Sequence, residues 1–321
     1  VLGVRRVLCI SHSTDVDGIA SAALLKLAKN ADVKLVDYGD FIDALKDVSN
    51  TSELYICDLG LSPETAQLFF NEVERIRGFA RVTYIDHHPK VRGYGYAPKT
   101  NFRVIHSLKD CSAALAYDKF RSILPKSSSA IAAYAALTDY LENGPIASKI
   151  LDMHDRIHLY YEASMLAYAI ERLGDAPKEL NLIVDGLSRL KYPHEIKGVV
   201  EASSQQAQNV TAFLKRLEKE GVVKRGYAYV NAASFPKGIA ANLVRCFFGT
   251  PVGVAYKLEN DSPFLEISLR ASSAYPGNLG LITQRIASEV GGFGGGHPKA
   301  SGARIPKESL QRFLQSLEEL L

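Results

Sequence analysis

Residues 84–89 read Tyr-Ile-Asp-His-His-Pro, so Asp86, His87 and His88 stand in a row at the end of an apolar, β-branched run. Three metal-competent side chains together are poor strand formers and costly to bury unpaired. They suit the carboxyl tip of a strand, where a parallel sheet presents its chemistry. Two earlier runs also end in acids, His12-Ser13-Thr14-Asp15-Val16-Asp17-Gly18 and Ile56-Cys57-Asp58-Leu59-Gly60. Asp139 lies further on, in the Ala-rich stretch 134–140. His12, Asp15, Asp17, Asp58, His87 and Asp139 supply carboxylates and imidazoles suited to a pair of divalent cations. Manganese is the first expectation, with magnesium or cobalt as alternatives. Asp86 and His88 are left to orient ligands and to contact substrate. A water shared by two cations becomes a hydroxide near neutral pH, and the cations offset charge growing on a phosphate, so this chemistry is metal-assisted hydrolysis. Read singly, Asp15-Val16-Asp17-Gly18 is also a turn with an Asp helix cap, and Asp58 is also a plain strand end.

The elements that would position these residues follow from periodicity. Arg5 to His12, Val33 to Val36, Glu53 to Cys57, Arg81 to Ile85 and Phe102 to Ile105 read as strands. Apolar residues from Ile19 to Ala28 recur at helical spacing, and Ser62-Pro63-Glu64 opens a further helix with a cap and a first-turn proline. Alternating strands and helices imply parallel strands with crossovers, hence an α/β, doubly wound sheet. Pro89 to Lys99 reads as a loop, and Ser112 to about Arg189 as mainly helical. Residues 193–219 are polar and helix-compatible, a connector between domains. A second, smaller α/β domain begins near Val222. Its strands are expected at Tyr227–Val230, Val252–Lys257, Leu265–Leu269 and Ala300–Ile305, and its helices at Gly238–Phe248, Leu279–Val290 and Pro306–Leu321. The division expected is 1–192, a helical linker 193–222, and 223–321.

The second domain carries its own signal, Gly291-Gly292-Phe293-Gly294-Gly295-Gly296-His297-Pro298. Read as a loop, Gly294, Gly295 and Gly296 let the backbone approach a ligand and aim N–H groups at an anion, with His297 able to donate to phosphate. Arg270, after the strand 265–269, and Asn242, on the helix 238–248, are further candidates for substrate contact.

These motifs resemble those of the DHH phosphoesterase superfamily, and the glycine-rich segment resembles the Gly-Gly-Gly-His motif of its DHHA1 partner domain. The resemblance covers nearly the whole chain in the expected order. It implies that His12 and Asp15 bind one metal and Asp17 the other, that Asp58 bridges both, and that His87 and Asp139 complete the second site. It also implies that His88 contacts the scissile phosphate, that Asp86 holds His87, and that Arg270 clamps a phosphate or stacks on a base. One departure is that only Ser13 and Thr14 separate His12 from Asp15, where many relatives place three residues.

The activity this implies is a two-metal phosphodiesterase, an exonuclease that releases mononucleotides from single-stranded DNA or short RNA oligonucleotides held in a cleft between the domains. The rivals are a family II type pyrophosphatase, a cyclic-dinucleotide phosphodiesterase and a nonenzymatic replication or repair scaffold. From residue 223 onward five Lys and six Arg face one Asp and six Glu, a net +4, so the first 222 residues carry −1 of the total +3. That suits metals in the first domain and a polyanion on the second. The partners expected are therefore single-stranded nucleic acid or short oligonucleotides, with a homo-oligomer and a repair or replication protein as further ones. No apolar run reaches the ~18 residues of a membrane span, and the amino terminus lacks the pattern of a signal peptide. Cys9, Cys57, Cys111 and Cys246 show no metal-knuckle spacing and read as reduced core thiols, so the location expected is cytoplasmic, with no membrane.

Overall fold

The computed structural model describes residues 6–174, 176–258 and 262–321. Arg5, the first residue of the strand expected at 5–12, lies outside them. The chain divides into two compact units, Val1–Ala207 and Gln208–Leu321.

In the first unit the order is β1 (Val7–His12), α1 (Val16–Lys29), β2 (Asp32–Val36), α2 (Phe41–Lys46), β3 (Glu53–Cys57), α3 (Pro63–Ile76), β4 (Arg81–Asp86), β5 (Phe102–His106) and α4 (Ser112–Phe120). The helices α5 (Ser129–Thr138), α6 (Ala147–Leu151), α7 (Arg156–Leu173) and α8 (Pro177–Ser188) follow. The strands form one parallel sheet in the order β2-β1-β3-β4-β5. Both faces are covered. Cys9, Tyr55, Cys57 and Ile85 join a core with α1, α4, α5 and α7. Ile10, Leu54, Ile56, Val82 and Tyr84 join a second core with Phe41 and Phe69 of α2 and α3. This alternation is the period-two pattern of a strand buried on both sides. Phe69 is fully buried against Phe41 and Tyr84, and cutting it to Ala would cost about 3–5 kcal/mol. Ser62 caps α3 in a reciprocal pair with Thr65, as the Ser-Pro-Glu start suggests.

A 22-residue helix, α9 (Val199–Glu220), carries the division between the units, which falls within it. The second unit contains β6 (Val222–Lys224), β7 (Tyr227–Asn231), α10 (Lys237–Phe248), β8 (Val252–Leu258), β9 (Phe264–Ala271), α11 (Leu279–Glu289), β10 (Phe293–Gly296), β11 (Ala300–Pro306) and α12 (Leu310–Leu320). Its mixed sheet runs β10-β11-β9-β8-β7-β6. The glycine-rich segment is therefore not a loop. Gly294, Gly295 and Gly296 form an edge strand paired with Ala303, Gly302 and Ser301. Glycine has little intrinsic preference for strands, and the backbone pairing wins here. Added Cβ atoms would meet the Gly302 carbonyl at 2.8 Å from Gly294 and the Ala300 carbonyl at 2.6 Å from Gly296. Two short elements, α2 and β6, escape the sequence reading. Cys246 also departs from the expected core thiols: it is exposed on α10, whereas Cys9, Cys57 and Cys111 are buried. No helix among the described residues is long and apolar enough to cross a membrane.

Candidate metal centre and anion-binding strand

The carboxyl ends of β1, β3 and β4 and the end of α5 bring the acids together. Among the described residues, three groups of side chains have ligand atoms within 4.8 Å of one another: His12, Asp15 and Asp58; Asp17, His87 and Asp139; and Asp58, His87 and His88. Asp58 is shared by two of them. His87 Nε2 lies 3.3 Å from Asp58 Oδ1, 3.2 Å from Asp139 Oδ2 and 3.8 Å from Asp17 Oδ2. His12 Nδ1 is 2.7 Å from Asp15 Oδ2 and 3.7 Å from Asp58 Oδ2, the second too long for a hydrogen bond.

Local backbone chemistry sets each position. Asp15 caps α1 by accepting from the Gly18 amide at 2.9 Å, so the cap reading and the ligand reading describe one residue. A Cβ on Gly18 would sit 2.2 Å from the His12 carbonyl oxygen, so glycine lets α1 start against the tip of β1. Asp17, buried, accepts from the Ser112 and Ala113 amides, both at 2.7 Å, and so sits on the amino terminus of α4. The Ser112 hydroxyl donates to Asp58 Oδ1 at 3.2 Å. Asp58 holds φ +58°, in the left-handed region that a non-glycine residue rarely adopts, and its amide bonds the Ile85 carbonyl at 3.0 Å. Strained backbone of this kind persists where surrounding structure enforces it, and it gathers at functional sites.

Asp86 does not hold His87. Its Oδ1 pairs with His88 Nδ1 at 2.8 Å, and its Oδ2 lies 2.8 Å from the Tyr84 hydroxyl. Residues two apart in an extended chain share a face, so 84, 86 and 88 line up while 87 points to the acids. Gly60 makes room for this arrangement, since a Cβ there would lie 2.6 Å from His88 Cγ.

Electrostatics describe a cluster short of positive charge. Burial, then the charges of Asp17 and Asp15, push Asp58 well above the carboxylate range. Burial, then Asp17, raise Asp139 to about 8. Burial would lower His12, but its bond to Asp15 and the negative charges of Asp15 and Asp58 prevail and raise it to about 11. Asp58 Oδ2 and Asp139 Oδ2 are buried and accept no hydrogen bond among the described residues. Unpaired buried carboxylate oxygens beside imidazoles are the donor set that hard divalent cations satisfy. The residues present therefore fit the metals expected.

Sequence reasoning missed several neighbours. Tyr38, just past β2, has its hydroxyl 3.4 Å from His88 Nε2 and its ring centroid 5.0 Å from that of His12. Asp37 Oδ1 is 3.4 Å from His12 Nε2. His106, to which the sequence assigns no role, pairs its Nε2 with the His88 carbonyl at 2.7 Å. Single residues like these have no spacing signal; only the end of β2, a neighbour of β1 in a parallel sheet, could have pointed to Tyr38.

In the second unit, strand register places Arg270, Ala300 and Gly296 at one end of the sheet. The Arg270 guanidinium bonds Ser268 Oγ at 3.2 Å and the Leu269 carbonyl at 3.0 Å, and burial lowers its pKa. It also packs over Gly238, where a Cβ would come 2.9 Å from Nη2. His297 is exposed; its backbone bonds Ala300 and Gly280, tying the end of β10 to the start of α11. Asn242 is half-buried and accepts from Arg245 at 3.0 Å.

A family model described as the DHHA1 domain matches residues 227–321. No curated protein matches the sequence. Among solved structures, the chain is similar to a pGpG-specific phosphodiesterase, PggH, from Vibrio cholerae, with 14% identity, TM-score 0.62 and 98% of each chain covered. It is similar to the DHH domain of a member of a family of ribosomal proteins, with 17% identity, TM-score 0.71, and 98% of this chain and 86% of that one covered. RecJ in complex with Mn2+ from Thermus thermophilus gives 16% identity and TM-score 0.64, with 98% of this chain and 52% of that chain covered. At these identities the likeness is one of fold, a parallel-sheet unit followed by a mixed-sheet unit. The C-terminal part of the chain, residues 227–321, thus matches the DHHA1 domain, and the chain as a whole shares its fold with these structures.

Proposed function

We propose that the chain is a two-metal phosphodiesterase that removes mononucleotides from the end of short single-stranded oligonucleotides, DNA or RNA. The observation that supports it most is the place of Asp58, which groups with His12 and Asp15 and also lies 3.3 Å from His87 of the Asp17–His87–Asp139 group. His12, Asp15 and Asp58 would hold one cation, and Asp17, His87, Asp139 and Asp58 the other, with manganese the first candidate. When bound, the cations acidify a water and offset charge on the phosphate. His88, held by Asp86, is assigned to orient the scissile phosphate, with Tyr38 beside it. Arg270, His297, Asn242 and the Gly294–Gly296 strand are assigned to gripping the nucleotide through charge and backbone amides. The full-length fold likeness to an enzyme named for pGpG favours short substrates, dinucleotides included.

The test uses metal-stripped protein, manganese restored, and oligonucleotides from two to about thirty residues, labelled at either end, beside an Asp58→Ala control. Metal-dependent release of mononucleotides by the unaltered protein alone is the expected result. Hydrolysis of pyrophosphate or a cyclic dinucleotide, with linear oligonucleotides untouched, would overturn the reading.

A further inference from the structure

The carboxyl ends of the first sheet carry the acids; its amino-terminal ends carry something different. There the first residues of β3, β4 and β5, with the last turns of α1 and α4, enclose a pocket of about 560 Å³. Register explains how the sequence builds it. Glu53 pairs with Arg81, and Thr83 with Arg103. All four side chains therefore leave the same face, the one covered by α1 and α4. Lys29 and Lys119 come from the last turns of those helices, and Lys99 from the turn before β5.

Among the described residues, five cations and one carboxylate, the buried Glu53, line the pocket. Two cations are already matched: Arg81 bonds Glu53 at 2.7 Å, and Lys99 bonds Glu74 at 2.5 Å. Lys29 lies 5.4 Å over the Phe120 ring, and neither it nor Arg103 or Lys119 has an acid partner among the described residues. Like charges gathered around a concave surface repel one another unless an anion joins them. Phe120 and Tyr55 also line the pocket, both largely buried and packed edge to face with centroids 5.7 Å apart, and the Tyr55 hydroxyl donates to Glu53. A bare phosphate would leave most of the volume empty, whereas about 300–1,000 Å³ suits a small organic ligand. β3 spans Glu53 to Cys57, so the pocket lies about 16 Å from Asp58 along the strand at ~3.3 Å per residue. It is a separate site on the same unit.

We propose that this pocket binds a nucleoside phosphate, with its phosphate on Lys29, Arg103 and Lys119 and its base against Phe120 and Tyr55. The inference needs no catalytic activity. Calorimetric titration with AMP, in EDTA to remove divalent cations, tests it on the full chain. Adenosine is the phosphate-free control and a ten-residue oligothymidylate the strand control. The expected result is a component of AMP binding that adenosine does not reproduce and that persists in Asp58→Ala and in Arg270→Ala. Arg103→Glu with Lys119→Glu should weaken it at least about tenfold, because reversing charged partners removes charge-assisted bonds. The milder Arg103→Gln with Lys119→Gln should weaken it by a smaller factor. No AMP binding by the unaltered chain would overturn the proposal. So would binding that survives both pairs of substitutions, or that is lost in Arg270→Ala and therefore belongs to the second unit. Oligothymidylate binding in place of AMP, lost with the same substitutions, would replace it with a track for single strands.

Discussion

The two ends of the first sheet differ in sign and in burial. At the carboxyl ends, Asp17 and Asp58 are almost wholly buried, and Asp58 Oδ2 and Asp139 Oδ2 accept no hydrogen bond among the described residues. At the amino ends, Arg81, Arg103 and Lys119 are exposed and positive. The same strands serve both. What differs is the element that follows: beyond each carboxyl tip the chain turns into a loop or a helix amino terminus, where Gly18, Gly60 and the α4 amides let acids crowd together. A strand's amino end receives the carboxyl end of a helix, where cations are favoured by the helix dipole. The contrast teaches that a parallel sheet separates chemistries by polarity alone, without a second domain.

The sharpest way to break the contrast is to remove the acid shared by two groups. Asp58→Ala should lower turnover by about a thousandfold or more, since several kcal/mol of charge stabilisation are lost, while the fold persists in thermal unfolding. Retained turnover would mean that the strand tips are not the catalytic end. Filling the space behind His88 is subtler. Gly60→Ala should displace the ring from Asp86 and lower kcat by about 10–100-fold, with manganese binding measured in parallel to show that the acids are intact. Arg270→Ala in the second unit should raise KM by about tenfold or more and leave kcat nearer its starting value, and Arg270→Lys should restore little of the loss. An unchanged KM in both would remove Arg270 from substrate contact.

The smallest expected effect is on stability. Asp139 is raised from 3.8 to about 8, so in metal-free protein its folded state binds a proton that the unfolded state has released. Asp58 is shifted in the same direction. A raised acid loses stability as pH climbs, here between about 4 and about 8. Thermal unfolding in EDTA should therefore show Tm falling across that window, and manganese should flatten the slope while releasing protons. A Tm that rises with pH in EDTA would contradict the acid cluster.

Much of this was legible in the sequence because the first unit is built from runs that end in acids. The largely apolar strand at 53–57 and the β-branched one at 81–86 stop where Asp58 and the Asp86-His87-His88 triplet begin, and a parallel sheet gathers such tips. The pairing of Asp86 with His88 was available from residue alternation, yet the triplet invites reading as one cluster. β10 was hidden because glycines give no strand propensity, and its pairing with β11 depends on tertiary contact. Tyr38 and the pocket cations were hidden because they come from separate elements, joined only by register and helix length.

The most direct test of the account is anomalous diffraction at the manganese edge from crystals grown with that ion. The account predicts two peaks, one beside His12 and Asp15 and one beside Asp17, His87 and Asp139, with Asp58 in contact with both. No peak at the strand tips, or a single peak that Asp58 does not touch, would contradict it.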